Sequence, residues 1–290
     1  MFALLLLLAA AAPAERAKDV AARLPIARNA MREVHLAAAA ISDQPLRAAV
    51  EAIAMAPWLP RESYAVAHPA EAERMLQEAG LLEGRLQLPA ERGSFQAACG
   101  GDHHAYPGGL AVHAWADLLH ARGLAETYQR VYGVKLRDDW LVAAALWHDA
   151  LKAATLPWRD DATCGPEPRI AGTGAHHVLG IAAAMVRRLP EGLVLTIASA
   201  HAPVFGDGAK QVCGWLKAAS IVANGRPLQS PCPASAPPEA YAMNTVDSDY
   251  PLTTSAATWY AERAPKGWER FEAMIQDGSD VAAWSRAVRY

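Results

Sequence analysis

Phenylalanine occurs only four times in the 290-residue chain and isoleucine is sparse, whereas alanine, leucine, glutamate and arginine dominate. A shortage of β-branched and aromatic side chains disfavours extended sheet, and the abundant types are good helix formers. The chain also lacks any long basic run, and its net charge is −3. That disfavours an extended nucleic-acid surface but leaves a small nucleotide or short strand open as a partner. None of the four cysteines, Cys99, Cys164, Cys213 and Cys232, has CxxC spacing, which argues against a structural zinc site. Four cysteines allow three disulfide pairings, and spacing does not choose among them. Cys213 lies in an apolar helical pattern, where it also reads as a small buried residue. No internal repeat is visible. The length suits one domain with extensions.

The N-terminal stretch "MFALLLLLAAAAPAERAKD" has no lysine or arginine ahead of its apolar run. In other respects it has the layout of a secretory signal peptide, with Ala12-Pro13-Ala14 as a small-x-small cleavage pattern. The run falls well short of the ~20 residues that cross a membrane. Cleavage near Ala14 and export to the periplasm or beyond is the expectation, leaving no membrane span. A frayed helix or a misplaced start codon is the alternative. Export also permits disulfides.

Apolar residues recur at three-to-four spacing through 15–56, predicting helices there. "HPAEAERMLQEAGLLEG" predicts another, with Pro69 in its first turn and Gly80 at its end. Residues 88–109, rich in glycine and other turn formers, read as a loop. Helical patterns then cover 110–133, 138–154, 175–189, 191–202 and 212–225. The Pro/Gly segment 156–174 reads as a loop, and so does the Pro-rich stretch 226–240. A last helix is predicted from about Gly267 to Val288. "GLVLTIASAH" within the fourth of these is apolar enough for a strand as well.

Within this pattern "AAALWHDALKAA" (143–154) places His148 and Asp149 among apolar neighbours. A buried carboxylate is costly unless a cation or hydrogen bonds compensate it. Histidines recur nearby: His113, His176, His177 and His201 lie on or beside three further predicted helices. A helical bundle can bring such positions together around a metal. Imidazole plus carboxylate suits a divalent first-row ion, and a carboxylate can bridge two. His113, Asp117 and His120 share one helix face. Asp117 and His120 read as surface or supporting residues.

The ordered set resembles the HD superfamily of metal-dependent phosphohydrolases. "HHAYPGGLAVH" (103–113) is similar to the HHxYPGGLxxH stretch of the HD domains of bacterial 3′-5′ exoribonucleases. "HDALK" resembles the HDxGK form shared with HD-GYP-type phosphodiesterases, "HHVLG" fits H-x-x-x-G, and "SAHAP" falls where that branch carries a further histidine. The resemblance covers residues 102–224. It implies an all-α, HD-like bundle in which "GLVLTIASAH" lies between helices and is itself helical. Taken with the reading of the flanking residues, the chain is organised as a signal peptide (1–14), an N-terminal helical layer (15–92), the HD-type domain (93–230) and a C-terminal extension (231–290). The resemblance also implies one or two divalent ions (Mn, Fe, Ni, Mg or Zn). His113, His148 and Asp149 hold one, and Asp149 bridges to a second completed by His176 and His201, with His177 as the alternate for His176. Lys152 orients a phosphate or the attacking water, and His103 and His104 face the substrate. The implied reaction is hydrolysis of a phosphate mono- or diester of a nucleotide or short oligonucleotide through metal-activated water.

One departure stands out. Where the family ends its core on a metal-binding aspartate, "WLKAASIVANG" has Ser220, and a hydroxyl is a poor ligand beside a carboxylate. Three readings follow: a weakly held first ion, a carboxylate supplied from elsewhere (Asp207, Asp247 or Asp249), or a module that binds metal and ligand without turnover. "NTVDSDYPLTTSAATWY" (244–260) reads either as a surface extension or as a lid supplying one of those aspartates. Trp215, Trp259, Trp268 and Trp284 read as packing residues.

Overall fold

The computed structural model describes residues 12–101, 104–228, 235–248 and 250–278. His103, Asp249, Cys232, Trp284 and most of the N-terminal apolar run lie outside them. The fold is all-α. Its helices are α1 (Pro13–Arg23), α2 (Pro25–Ala39), α3 (Gln44–Met55), α4 (Tyr64–Ala67), α5 (Pro69–Glu78), α6 (Gly109–Thr127) and α7 (Asp138–Trp147), followed by α8 (Lys152–Thr155), α9 (Ala175–Val186), α10 (Glu191–Ala198), α11 (Gly206–Asn224), α12 (Pro238–Val246), α13 (Tyr250–Arg263) and α14 (Glu269–Asp277).

The N-terminal pattern divides at Leu24, because Pro25 cannot continue α1 but suits the first position of α2. The Asp43 side chain caps α3 by accepting from the Leu46 N–H at 3.1 Å. Helices α7, α9 and α10 are apolar nearly all round, as core helices are. Burial of Leu141, Leu146 and Trp147 on α7 contributes about 1.5–3 kcal/mol per side chain. Helix α9 packs along α11; α6 packs on α2, α7 and α12; and α10 lies against α7, α9 and α12. The segment 191–198 is helical, as the resemblance implies.

Three local features differ from the sequence pattern. The helix expected over 138–154 stops at Trp147, and residues 148–151 form a turn before α8. The loop 156–174 contains a short antiparallel hairpin, Arg169–Ile170 with Thr173–Gly174. Helix α14 breaks after Asp277, where Gly278 adopts φ 61°, and the rest of the helix expected up to Val288 lies outside the described residues. No helix among the described residues is long and apolar enough to cross a membrane.

Cys99 and Cys164 are joined by a disulfide across 65 residues. Cys213, half-buried on α11, is also disulfide-bonded. It is therefore not the plain buried residue its apolar context suggests, and its partner lies outside the described residues. Closing a loop of that length restricts the unfolded chain, so Cys99→Ser/Cys164→Ser is expected to lower stability by about 4 kcal/mol. Denaturant unfolding of the two proteins measures it; a loss under 1 kcal/mol would show that the unfolded chain gains little freedom.

Candidate metal centre

Each side chain of the site sits at a helix end or in the turn beside one. His113 and Asp117 lie in the second and third turns of α6, whose entry is fixed by two glycines. Gly108 has φ 87°, and a Cβ on Gly109 would lie 2.0 Å from the His104 carbonyl oxygen. His148 ends α7 and Asp149 begins the turn after it. The Trp147 indole N–H donates to Gly180 O at 2.8 Å, clamping α9 against α7 beside His148. His176 opens α9, and His201 follows α10 in a turn that Asn244 of α12 holds through Ala200 O at 2.9 Å. Asp247 lies in the turn after α12. That helix is anchored by Glu239, whose carboxylate accepts from the Arg137 guanidinium and backbone N–H.

These residues converge around Asp149, which is 2% exposed. Its Oδ2 lies 3.3 Å from His113 Nε2 and 3.7 Å from His148 Nε2. Its Oδ1 lies 3.0 Å from His176 Nε2 and 3.3 Å from His201 Nε2. Asp247 is likewise two-sided. Oδ1 is 3.0 Å from His113 Nε2 and 3.2 Å from His148 Nε2, while Oδ2 is 3.5 Å from His201 Nε2. The ligand atoms of His113, Asp117, His148 and Asp247 all lie within 4.8 Å of one another, as do those of His148, Asp149 and His201.

The outer nitrogens are held from behind. His148 Nδ1 donates toward Ala144 O and Ala145 O at 3.2 and 3.1 Å, which leaves the Nε2 lone pair pointing inward. His176 Nδ1 sits 2.7 Å from Glu167 Oε1, a carboxylate that also accepts from the His176 backbone N–H and from Thr155 Oγ1. Such a carboxylate behind a histidine fixes the tautomer and raises ligand basicity.

Burial disfavours charge throughout, and proximity then decides each group. Burial raises the Asp149 carboxyl, but Lys152 and the surrounding histidines hold it well below the usual range. Asp247 is depressed in the same way by His148 and its neighbours. Burial lowers His148, yet Asp149 and Asp247 push it up to about 9. Burial also lowers His113 and His176, but Asp117, Asp149 and Asp247 raise the first and Asp149 and Glu167 raise the second. His177 and His201 are lowered, chiefly by burial.

The donor set fits a divalent ion. His148 Nε2, His176 Nε2 and Asp149 Oδ1 are buried without a well-formed hydrogen bond, although they lie within contact distance of one another. Among the described ion pairs, Lys152 is the only lysine or arginine meeting any of Asp117, Asp149, Glu167 and Asp247. Three of these carboxylates, Asp117, Asp149 and Asp247, face the inward imidazole nitrogens and form a negative concavity suited to a cation, with Glu167 behind His176.

The structure thus brings together His113, His148, Asp149, Lys152, His176 and His201. Lys152 Nζ is 2.5 Å from Asp149 Oδ2 and donates to Gly100 O at 3.3 Å, joining the glycine loop to the cluster. His104, expected to face the substrate, is fully buried, with its ring centred 5.1 Å from that of His113. His177 lies behind His201, its ring stacked at 4.2 Å and its Nε2 directed at Ala198 O. No described contact joins Ser220 to the cluster, and its hydroxyl donates to Arg226 O just beyond α11. The position it leaves is answered by Asp247, from the segment read as an extension. Asp207 is exposed and paired with Lys210. Asp117 is fully buried within the cluster rather than on the surface, because its helix face turns inward beside His113. His120, one turn on, is exposed and approaches Val246 O at 3.4 Å. Sequence reasoning missed Glu167, which carries no motif and reaches His176 through the fold of the hairpin loop.

No family model matches the chain, and no solved structure does. Among characterised proteins, it is similar to the dihydroneopterin 2′,3′-cyclic phosphate phosphodiesterase of Methanocaldococcus jannaschii. The two are 30% identical over 99 residues, 34% of this chain and 39% of that protein.

Proposed function

We propose that the chain is a metal-dependent phosphohydrolase of the HD type, cleaving a phosphate mono- or diester of a nucleotide-like small molecule or short oligonucleotide. The observation that carries this reading is Asp149, whose two oxygens each face a separate pair of histidine nitrogens. Similarity to a cyclic-phosphate phosphodiesterase supports the reaction class. A divalent ion in such a site supplies Lewis acidity and a nucleophile at neutral pH. His113, His148, His176 and His201 would hold it with Asp149 and Asp247. Lys152 offsets part of the carboxylate charge. Glu167 and the Ala144 and Ala145 carbonyls keep the rings oriented, so little reorganisation accompanies charge development. The cluster opens to solvent at His201 and Asp247, 20% and 12% exposed, and a phosphate enters from that side. Placement of Asp247 weakens the motive for a binding-only module, which rested on Ser220. The Cys99–Cys164 disulfide supports export to an oxidising compartment.

Elemental analysis of untagged protein, paired with assays on mono-, di- and 2′,3′-cyclic phosphate esters, tests the proposal. One to two divalent ions per chain and turnover abolished by chelation are expected. Because His148 keeps its proton up to about pH 9 without metal, uptake at neutral pH should release protons, and affinity should rise with pH. Bound metal without turnover on any ester would leave only a binding module; absence of metal would remove the reading altogether.

A further inference from the structure

We infer that Asp117 is itself a ligand of the centre, making its two halves unequal: an oxygen-rich half of His113, His148, Asp117, Asp149 and Asp247, which selects a hard ion such as Mn2+ or Mg2+, beside a half completed by His176 and His201. The inference rests on the metal-centre reading and deepens it.

The direction of approach separates a ligand from a supporting residue. Supporting groups in this protein sit behind the rings, at Nδ1: Glu167 does so for His176, and the Ala144 and Ala145 carbonyls do so for His148. Asp117 does the opposite. Its Oδ2 lies 3.4 Å from His113 Nε2 and 3.7 Å from His148 Nε2, the same inward nitrogens that Asp149 Oδ2 and Asp247 Oδ1 face. Helix α6 imposes this, since Asp117 follows His113 by four residues and projects from the same face. Full burial leaves the carboxylate directed into the cluster rather than toward water.

Donor chemistry then sets the preference. Two imidazoles and three carboxylates exceed the four ligands of tetrahedral zinc, and oxygen-rich sets of five or six donors suit Mg2+ and Mn2+. The other half presents two imidazoles with Asp149 Oδ1 and Asp247 Oδ2, a smaller set compatible with zinc.

The test compares wild type with Asp117→Asn by Co2+ titration of metal-free protein, read from visible absorption, and by Mn2+/Zn2+ competition read from metal content. The first Co2+ equivalent should absorb weakly in wild type, as five- or six-coordinate cobalt does, and several-fold more strongly in Asp117→Asn. Mn2+ retention should fall at least ~10-fold in the variant while Zn2+ changes less than ~3-fold. Identical cobalt spectra in the two proteins would overturn the inference and leave Asp117 as a hydrogen-bonding neighbour. If Asp117→Asn does not fold, the wild-type titration decides alone, since intense tetrahedral absorption at both equivalents excludes a fifth donor in either half. Failure of wild type to bind any ion would instead overturn the metal-centre reading on which this inference rests.

Discussion

Asp149→Asn is expected to reduce bound metal to less than half the wild-type content and to lower turnover by at least ~10³-fold. Asparagine keeps the volume but leaves one carbonyl oxygen and one amide nitrogen. Only one of the two histidine pairs can then face an acceptor, and the negative charge that compensates the ion is gone. A second cost falls on the fold. Lys152 is buried, and the carboxylate that keeps it protonated lies 2.5 Å away. Removing one partner of a buried pair typically costs about 3–5 kcal/mol, because the remaining charge is stranded. Burial then lowers the Lys152 pKa, and loss of its proton relieves part of that cost as pH rises. The two effects separate experimentally: Asp149→Asn/Lys152→Met should recover most of the thermal stability and none of the metal. Metal content and melting temperature, measured on both variants, decide it. Full metal loading in Asp149→Asn would contradict the central place given to this carboxylate.

The ease with which the fold could be read follows from how local its causes are. Helices α2, α3, α5, α6 and α9 announce themselves by periodicity, first-turn prolines and terminal glycines, all near-neighbour effects, whereas α10 is apolar enough for a strand and is settled by the family resemblance. The end of α7 at Trp147 does not, because 148–151 leave the helix for tertiary reasons: His148 and Asp149 turn into a charged cluster that no helical periodicity records. The hairpin at 169–174 escapes notice for its shortness. The site divides in the same way. His113, His148, Asp149, His176 and His201 stand in ordered motifs, so the resemblance gathers them. Asp117 was visible as a face-sharing residue, but the depth of that face depends on packing of α6 against α7 and α12. Glu167 has no spacing signal at all, since its relation to His176 arises only when the loop closes. Cys99 and Cys164 illustrate the limit plainly, because three pairings are equal on paper and only folding distinguishes them.

Asp247→Ala and Ser220→Ala should part company by at least two orders of magnitude, and this pair decides which residue completes the centre. Asp247 lies 3.0, 3.2 and 3.5 Å from inward nitrogens of His113, His148 and His201, so its removal weakens both halves at once. Turnover is expected to fall ~10²–10³-fold, with substrate KM raised less than kcat is lowered. Ser220 makes one described side-chain hydrogen bond, to Arg226 O, and none to a histidine of the cluster. Its loss should cost about 1 kcal/mol, seen as a melting shift of ~2–4 °C, with activity and metal content within twofold of wild type. The reverse result, an inert Ser220→Ala and an unimpaired Asp247→Ala, would return the missing carboxylate to α11. The geometry argues against that return, because α12 is fastened on both sides of the site. Glu239 ties its start to Arg137, and Asn244 ties its middle to the His201 turn. Asp247 is thus presented by a braced helix rather than by a mobile lid, and a braced carboxylate keeps its place as charge develops.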